Sequence, residues 1–145
     1  MKERINIHQL EPKAYEPLMA MERYLATADL DHKLKELIKI RASQINKCAY
    51  CLDMHTRDAR KAGETEQRIY ALSAWEESPL FTEQERAALA LTEEVTLIAE
   101  HGVCEKTYQN VRKHFTDNQV AQLIMVIAQI NTWNRMNVST KQVYK

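Results

Sequence analysis

Apolar residues in this chain recur at intervals of three and four, the period of helices that bury one face. Tyr15, Leu18, Met21, Leu25 and Ala28 form the first stripe and predict a helix over residues 13–28. Leu34, Leu37, Ile38, Ala42 and Ile45 form the second, behind Asp31, a good N-cap. Asn46 is then expected to cap a third helix reaching Ala62, with Cys48 in its first turn and Gly63 as its stop. Residues 65–75 predict a shorter helix, closed by the Ser78-Pro79 pair. Thr82 followed by Glu85 spells a capping box for a helix carrying Ala88, Leu91, Val95 and Ile98 and stopping near Gly102. A short helix over 105–114 precedes a long one, capped by Thr116 or Asp117 and running to about Val138. From Val120 to Ile130 it is apolar on more than one face, so it is central or packs against another subunit.

No sustained alternation of apolar and polar residues appears, and with 2 glycines and 3 prolines the chain lacks the turn chemistry of a many-stranded β protein. No repeat or linker divides the elements. The expectation is one all-α domain over residues 1–145, long enough to bury a proper core without staples.

Charge narrows the partners. Lys plus Arg and Asp plus Glu each total 20, and no block of one sign stands out, which argues against nucleic acid or an anionic membrane. Residues 1–9 hold no apolar signal core, and the apolar run at 123–128 is too short to span a bilayer, so a soluble cytoplasmic protein is expected. Three cysteines in such a chain do not make a disulfide framework.

Two of those cysteines carry the candidate chemistry. At about 100° per residue, Cys48, Cys51 and His55 share one helix face. Thiols three residues apart at a helix start suit a reversible disulfide. The helix dipole, the neighbouring thiol and an imidazole at i+4 from Cys51 are three ways to ionise one of them. The same trio can equally ligate zinc, with a fourth ligand from His101 or Cys104, and zinc titration separates the two readings. Taken singly, buried cysteines and a helix histidine are ordinary core residues; their joint spacing is what points to chemistry.

The run from Lys35 to Thr56, KELIKIRASQINKCAYCLDMHT, resembles the AhpD-like branch of the carboxymuconolactone decarboxylase family. The resemblance extends through GET at 63–65, the stretch 70–92 and INTWNRMNV at 130–138, so it covers roughly residues 15–140. It implies an AhpD-like helical bundle with a CxxC-bearing helical hairpin. It also implies a homo-oligomer (dimer-based, trimer or hexamer) and alkylhydroperoxidase or disulfide-reductase activity with no bound cofactor and no catalytic metal. Small-molecule peroxide or disulfide is the implied substrate, and an external dithiol the implied reductant. In that family the second cysteine attacks and the first resolves, which carries over as Cys51 and Cys48. Helix position alone favours Cys48, whereas a base four residues on favours Cys51.

Glu36 stands twelve residues before Cys48, which on a straight helix is roughly 18 Å away. If the second and third helices fold back near residues 46 and 47, Glu36 meets the returning helix around residues 55–58, nearer His55 than the thiols. The order Glu36, His55, Cys51 is then a carboxylate orienting an imidazole that deprotonates a nucleophile. Unaided composition would instead pair Glu36 with Lys39 or Lys33 at the surface. Tyr50 occupies the position where AhpD proper carries a second histidine, and a phenol with pKa near 10 does not relay protons at neutral pH in the same way. Cys104 has no identifiable partner, and Trp133, Asn134 and Arg135 read as core and interface residues.

Overall fold

The structure is a computed structural model that describes residues 2–144; Met1 and Lys145, the outer limits of the expected domain, lie outside that range. Among the described residues nine α-helices follow one another: α1 (Ile7–Leu10), α2 (Pro12–Ala26), α3 (His32–Ile45), α4 (Ala49–Lys61), α5 (Glu66–Ala71), α6 (Glu83–Thr96), α7 (Ile98–His101), α8 (Glu105–His114) and α9 (Asp117–Thr140). No strand occurs among the described residues, so the all-α expectation holds.

The caps explain most boundaries. Asp31 accepts the amide of Leu34 at the start of α3, and Thr82 and Thr116 each close a full capping box, with Glu85 and Gln119. Four boundaries differ from the pattern. A four-residue helix, α1, precedes α2, opened by the Asn6 side chain bonding the amide of Gln9. The segment expected as one helix over 65–75 is α5 followed by a 3₁₀ turn at Leu72–Ala74. The helix expected to reach Gly102 breaks at Leu97, whose ψ of 33° leaves the α region, and resumes as α7.

The third helix also starts later than expected. Asn46 ends α3 instead of opening α4: the amide of Lys47 bonds the carbonyl of Gln44, and that of Cys48 bonds the carbonyl of Ser43. That pair of bonds is a Schellman stop, and it holds Lys47 in the left-handed region at φ 55°. The Asn46 side chain is taken up by Asn131 and Asn134 of α9, so it cannot cap α4. Cys48 is the N-cap instead, in an extended conformation.

Helices α3 and α4 thus form the antiparallel hairpin, and α9 lies across it while also touching α2, α6 and α8. One face of its apolar stretch is accounted for, with Val120, Leu123, Val126 and Ile127 filling one core with Leu34, Ile38, Ala88 and Leu91, while Ile124 and Met125 stay exposed. Leu37, Ile40, Leu72 and Leu89 build a second core on the other side of α3. Leu37, Ile38 and Ile40 are wholly buried, each contributing about 1.5–3 kcal/mol, so α3 has no freedom to slide. A third, smaller cluster joins Ala42, Cys48, Cys51 and Ile130, with Tyr50 and Trp133 against it. The rigid elements therefore converge on the thiols.

Candidate active site

Cys48 and Cys51 are free thiols and both are buried, at 1% and 0% exposure. Because Cys48 is the N-cap, its sulfur takes the place of a capping oxygen and accepts the amide of Cys51 at 3.4 Å. The Asn137 side-chain amide donates to the Cys51 sulfur, also at 3.4 Å. These contacts make the pair unequal. The hydrogen bond from the Cys48 thiol outweighs burial in lowering Cys51 and, with the amides of Asn137 and Asn134 and the charge of His55, holds it at about 6. The same bond, with burial, pushes Cys48 far upward.

His55 sits one turn beyond Cys51 on α4, and its Nδ1 is 2.8 Å from Oε2 of Glu36 on α3. The hairpin has done what the sequence geometry required, bringing residue 36 to residue 55. The other Glu36 oxygen accepts Lys39 Nζ at 2.9 Å, so the surface pairing and the relay pairing coexist on one carboxylate. Burial alone would raise Glu36; the His55 hydrogen bond and the Lys39 ammonium overcome it and hold the carboxyl at about 2. An ionised Glu36 accepts, so Nδ1–H donates to it and Nε2 is the nitrogen left to exchange protons. Among the described residues no direct hydrogen bond joins His55 to either sulfur, and His55 favours the Cys51 thiolate only through the positive charge it carries when protonated.

A cavity of about 530 Å³ opens beside this group, with Tyr50, His55 and Asn137 in its wall; neither cysteine lines it, but Asn137 bonds the Cys51 sulfur and Tyr50 packs against the cluster that holds both thiols. The zinc alternative meets an obstacle. Among the described residues, the metal-type donors that come within 4.8 Å of one another belong to Glu36, His55 and Asp58, not to Cys48, Cys51 and His55. Cys104 is remote from all of them, exposed at the N-cap of α8 with Glu94 and Thr107 around its sulfur.

The pattern of residues did not single out Asn137 as a thiol donor, although a signal existed. Asn131, Asn134 and Asn137 are spaced by three along α9, and Asn131 and Asn134 are buried. Asn134 bonds Ser43 and accepts from Asn46, which locks α9 to the hairpin turn.

A family model for the carboxymuconolactone decarboxylase family matches residues 12–94, more than half of the chain and the whole hairpin. The chain belongs to that family. Within it, the chain is 45% identical to the uncharacterized protein YdfG of Bacillus subtilis (strain 168), over 96% of this chain and 95% of that one. The crystal structure of ATU0492 from Agrobacterium tumefaciens, a protein of unknown function for which an AhpD-type antioxidant defence role has been suggested, matches with a TM-score of 0.96. It is 42% identical and covers 99% of each chain. An AhpD-core, peroxidase-related protein from Ralstonia eutropha JMP134 matches at TM-score 0.83 over 95% of this chain and 74% of that one; at 20% identity it shows the fold alone. The family model and the likeness to ATU0492 put the chain in the AhpD-like branch of the family.

Proposed function

We propose that this protein is a cofactor-free thiol peroxidase and disulfide oxidoreductase, with Cys51 as nucleophile, Cys48 as resolving thiol and Glu36–His55 as the proton-handling pair. The observation that carries the reading is the inequality of two adjacent buried thiols, Cys51 lowered to about 6 and Cys48 raised, beside an imidazole anchored by an ionised carboxylate. At pH 7 Cys51 is largely thiolate. It attacks the terminal peroxide oxygen: an S–O bond forms, the O–O bond breaks, and the departing alkoxide leaves as the alcohol by taking from His55 the proton that the imidazole accepted from the Cys51 thiol.

Resolution follows from the same hydrogen bond. Cys48 is hard to ionise because it donates to the Cys51 thiolate; once Cys51 is a sulfenic acid, that anion is gone and the restraint on Cys48 lifts. His55, anchored by Glu36, then takes the Cys48 proton. The S–S bond forms as the sulfenic oxygen leaves as water, and an external dithiol returns two electrons to restore both thiols. Tyr50 lines the cavity and shapes access in place of a second histidine. The reading includes a reducing, cytoplasmic setting that supplies the dithiol. It also includes assembly into a homo-oligomer, which the surface Ile124 and Met125 of α9 favour.

Stopped-flow mixing of reduced protein with hydrogen peroxide and with an organic hydroperoxide, followed by thiol counting, tests this. The expected result is rapid loss of two of the three thiols, with Cys104 retained, and continued turnover when a dithiol is supplied. Retention of all three thiols overturns the peroxidase assignment, and a single oxidation without turnover makes the protein a redox sensor instead.

A further inference from the structure

The wall of the cavity beside Cys51 has a chemical character of its own. One side is aromatic: Trp133 is pinned by its indole N–H donating to Glu22 at 2.7 Å, Tyr15 meets it edge-on with ring centroids 5.1 Å apart, and His8 lies 4.5 Å from Tyr15. Trp133 also packs against the cluster that contains both thiols, so the aromatic wall adjoins the group that holds the reacting sulfur. At about 530 Å³ the space suits a drug-sized molecule and far exceeds what hydrogen peroxide fills.

The charges in the wall are unbalanced. Glu22, Glu36 and Asp58 line it, and Lys39 is the one lysine or arginine that does so among the described residues. Its ammonium is already committed to Glu36 at 2.9 Å. An entering carboxylate would find three acids and no free lysine or arginine, in a partly desolvated site where such repulsion is strong.

We propose that this cavity selects uncharged, ring-bearing organic hydroperoxides and rejects anionic ones. The inference rests on the peroxidase reading for its chemistry but on the cavity wall for its selectivity. Rings stack against Trp133 and Tyr15 while Met54 and Met136 adjust around the substituents. The hydroperoxide group then lies toward His55 and Asn137, in front of Cys51.

Three peroxides test it in stopped flow: hydrogen peroxide, cumene hydroperoxide and cumene hydroperoxide bearing a para-carboxylate, each rate divided by that with a free small-molecule thiolate. Cumene hydroperoxide should exceed both others by at least about tenfold. Trp133→Ala should collapse the advantage and Trp133→Phe should keep most of it. Glu22→Gln, which retains the acceptor for the indole, should narrow the gap between the neutral and carboxylated peroxides. Equal normalised rates, or an unchanged ratio in Trp133→Ala, overturn the proposal. A redox-independent arm measures calorimetric binding of 2-phenyl-2-propanol and its para-carboxylate to the Cys51→Ser protein. Selective binding of the neutral alcohol upholds the cavity inference even where no peroxide oxidises Cys51, and indifferent binding or none overturns it.

Discussion

Among the described residues, Glu36 and Glu64 are the two buried carboxylates, each 2% exposed, and both find basic partners. Their surroundings differ in kind. Glu64, just past the end of α4, accepts Arg68 Nε and the amide of Thr65, both at 2.8 Å, and Arg68 goes on to Glu85 at the start of α6. A guanidinium in that setting never loses its proton, so the network is a permanent brace between α5 and α6. Glu36 holds instead a lysine and an imidazole, and an imidazole changes charge near neutral pH. The brace is filled in by its own side chains, whereas the Glu36 pair faces a cavity with a polarised dithiol behind it. A buried ion pair becomes a working site when one partner can titrate and a reactant can reach it.

The largest expected effect marks the working side. Cys51→Ser should abolish peroxide reduction, a fall of at least about 10⁴-fold, because a hydroxyl near its ordinary pKa is no nucleophile at pH 7; residual turnover close to wild type would move the nucleophile to Cys48. Next comes the brace. Arg68→Ala leaves Glu64 and Glu85 without their shared cation and should cost about 3–5 kcal/mol, read as a lower midpoint in urea. The protein that remains folded should still lose its two thiols to peroxide at the wild-type rate.

Glu36→Gln is the converse experiment. Without the anchoring charge, peroxide reduction should fall by about 10²-fold, the lower range for a general acid–base group. It should also change acid stability in a defined direction. Glu36 is depressed from 4.5 to about 2 in the folded protein, so its contribution is complete above the unfolded value and is lost as pH falls from about 4.5 to about 2. A shift of that size corresponds to about 3 kcal/mol. The variant should lose that increment at pH 7 and show a flatter decline in acid; an unchanged acid limb would mean that Glu36 is no more ionised by folding than a surface residue.

Much of this was legible in the residues. The apolar stripes and caps placed α2, α3, α4, α6, α8 and α9, and the family resemblance singled out Glu36, which the fold-back argument then put against His55. What escaped was what three-dimensional partners decide. Asn46 has the chemistry of an N-cap, but α9 claims its amide, so the cap passed to Cys48. Leu97 carries no breaker signal, and its departure from helix is visible only in the folded backbone. Asn137 lies 86 positions from Cys51, a distance that no local pattern bridges, although the Asn131, Asn134, Asn137 stripe marks the face of α9 that had to meet something polar.

The smallest effect is also the sharpest separator of the two regions. Asn137 donates one of the hydrogen bonds that hold Cys51 at about 6, while Cys48 and Asn134 supply others. A hydrogen bond to a charged group is worth about 1.5–3 kcal/mol, and with the remaining donors able to compensate in part, Asn137→Ala should raise Cys51 by about one pH unit. Iodoacetamide alkylation against pH should show it as a midpoint moving from about 6 to about 7, at nearly unchanged stability. Arg68→Ala should leave that midpoint where it is, since the brace contacts neither thiol. A midpoint that shifts in both variants would mean that Cys51 responds to general loosening of the fold. A shift in Asn137→Ala alone ties the thiolate to a single amide on α9, and so to the helix that also carries Trp133.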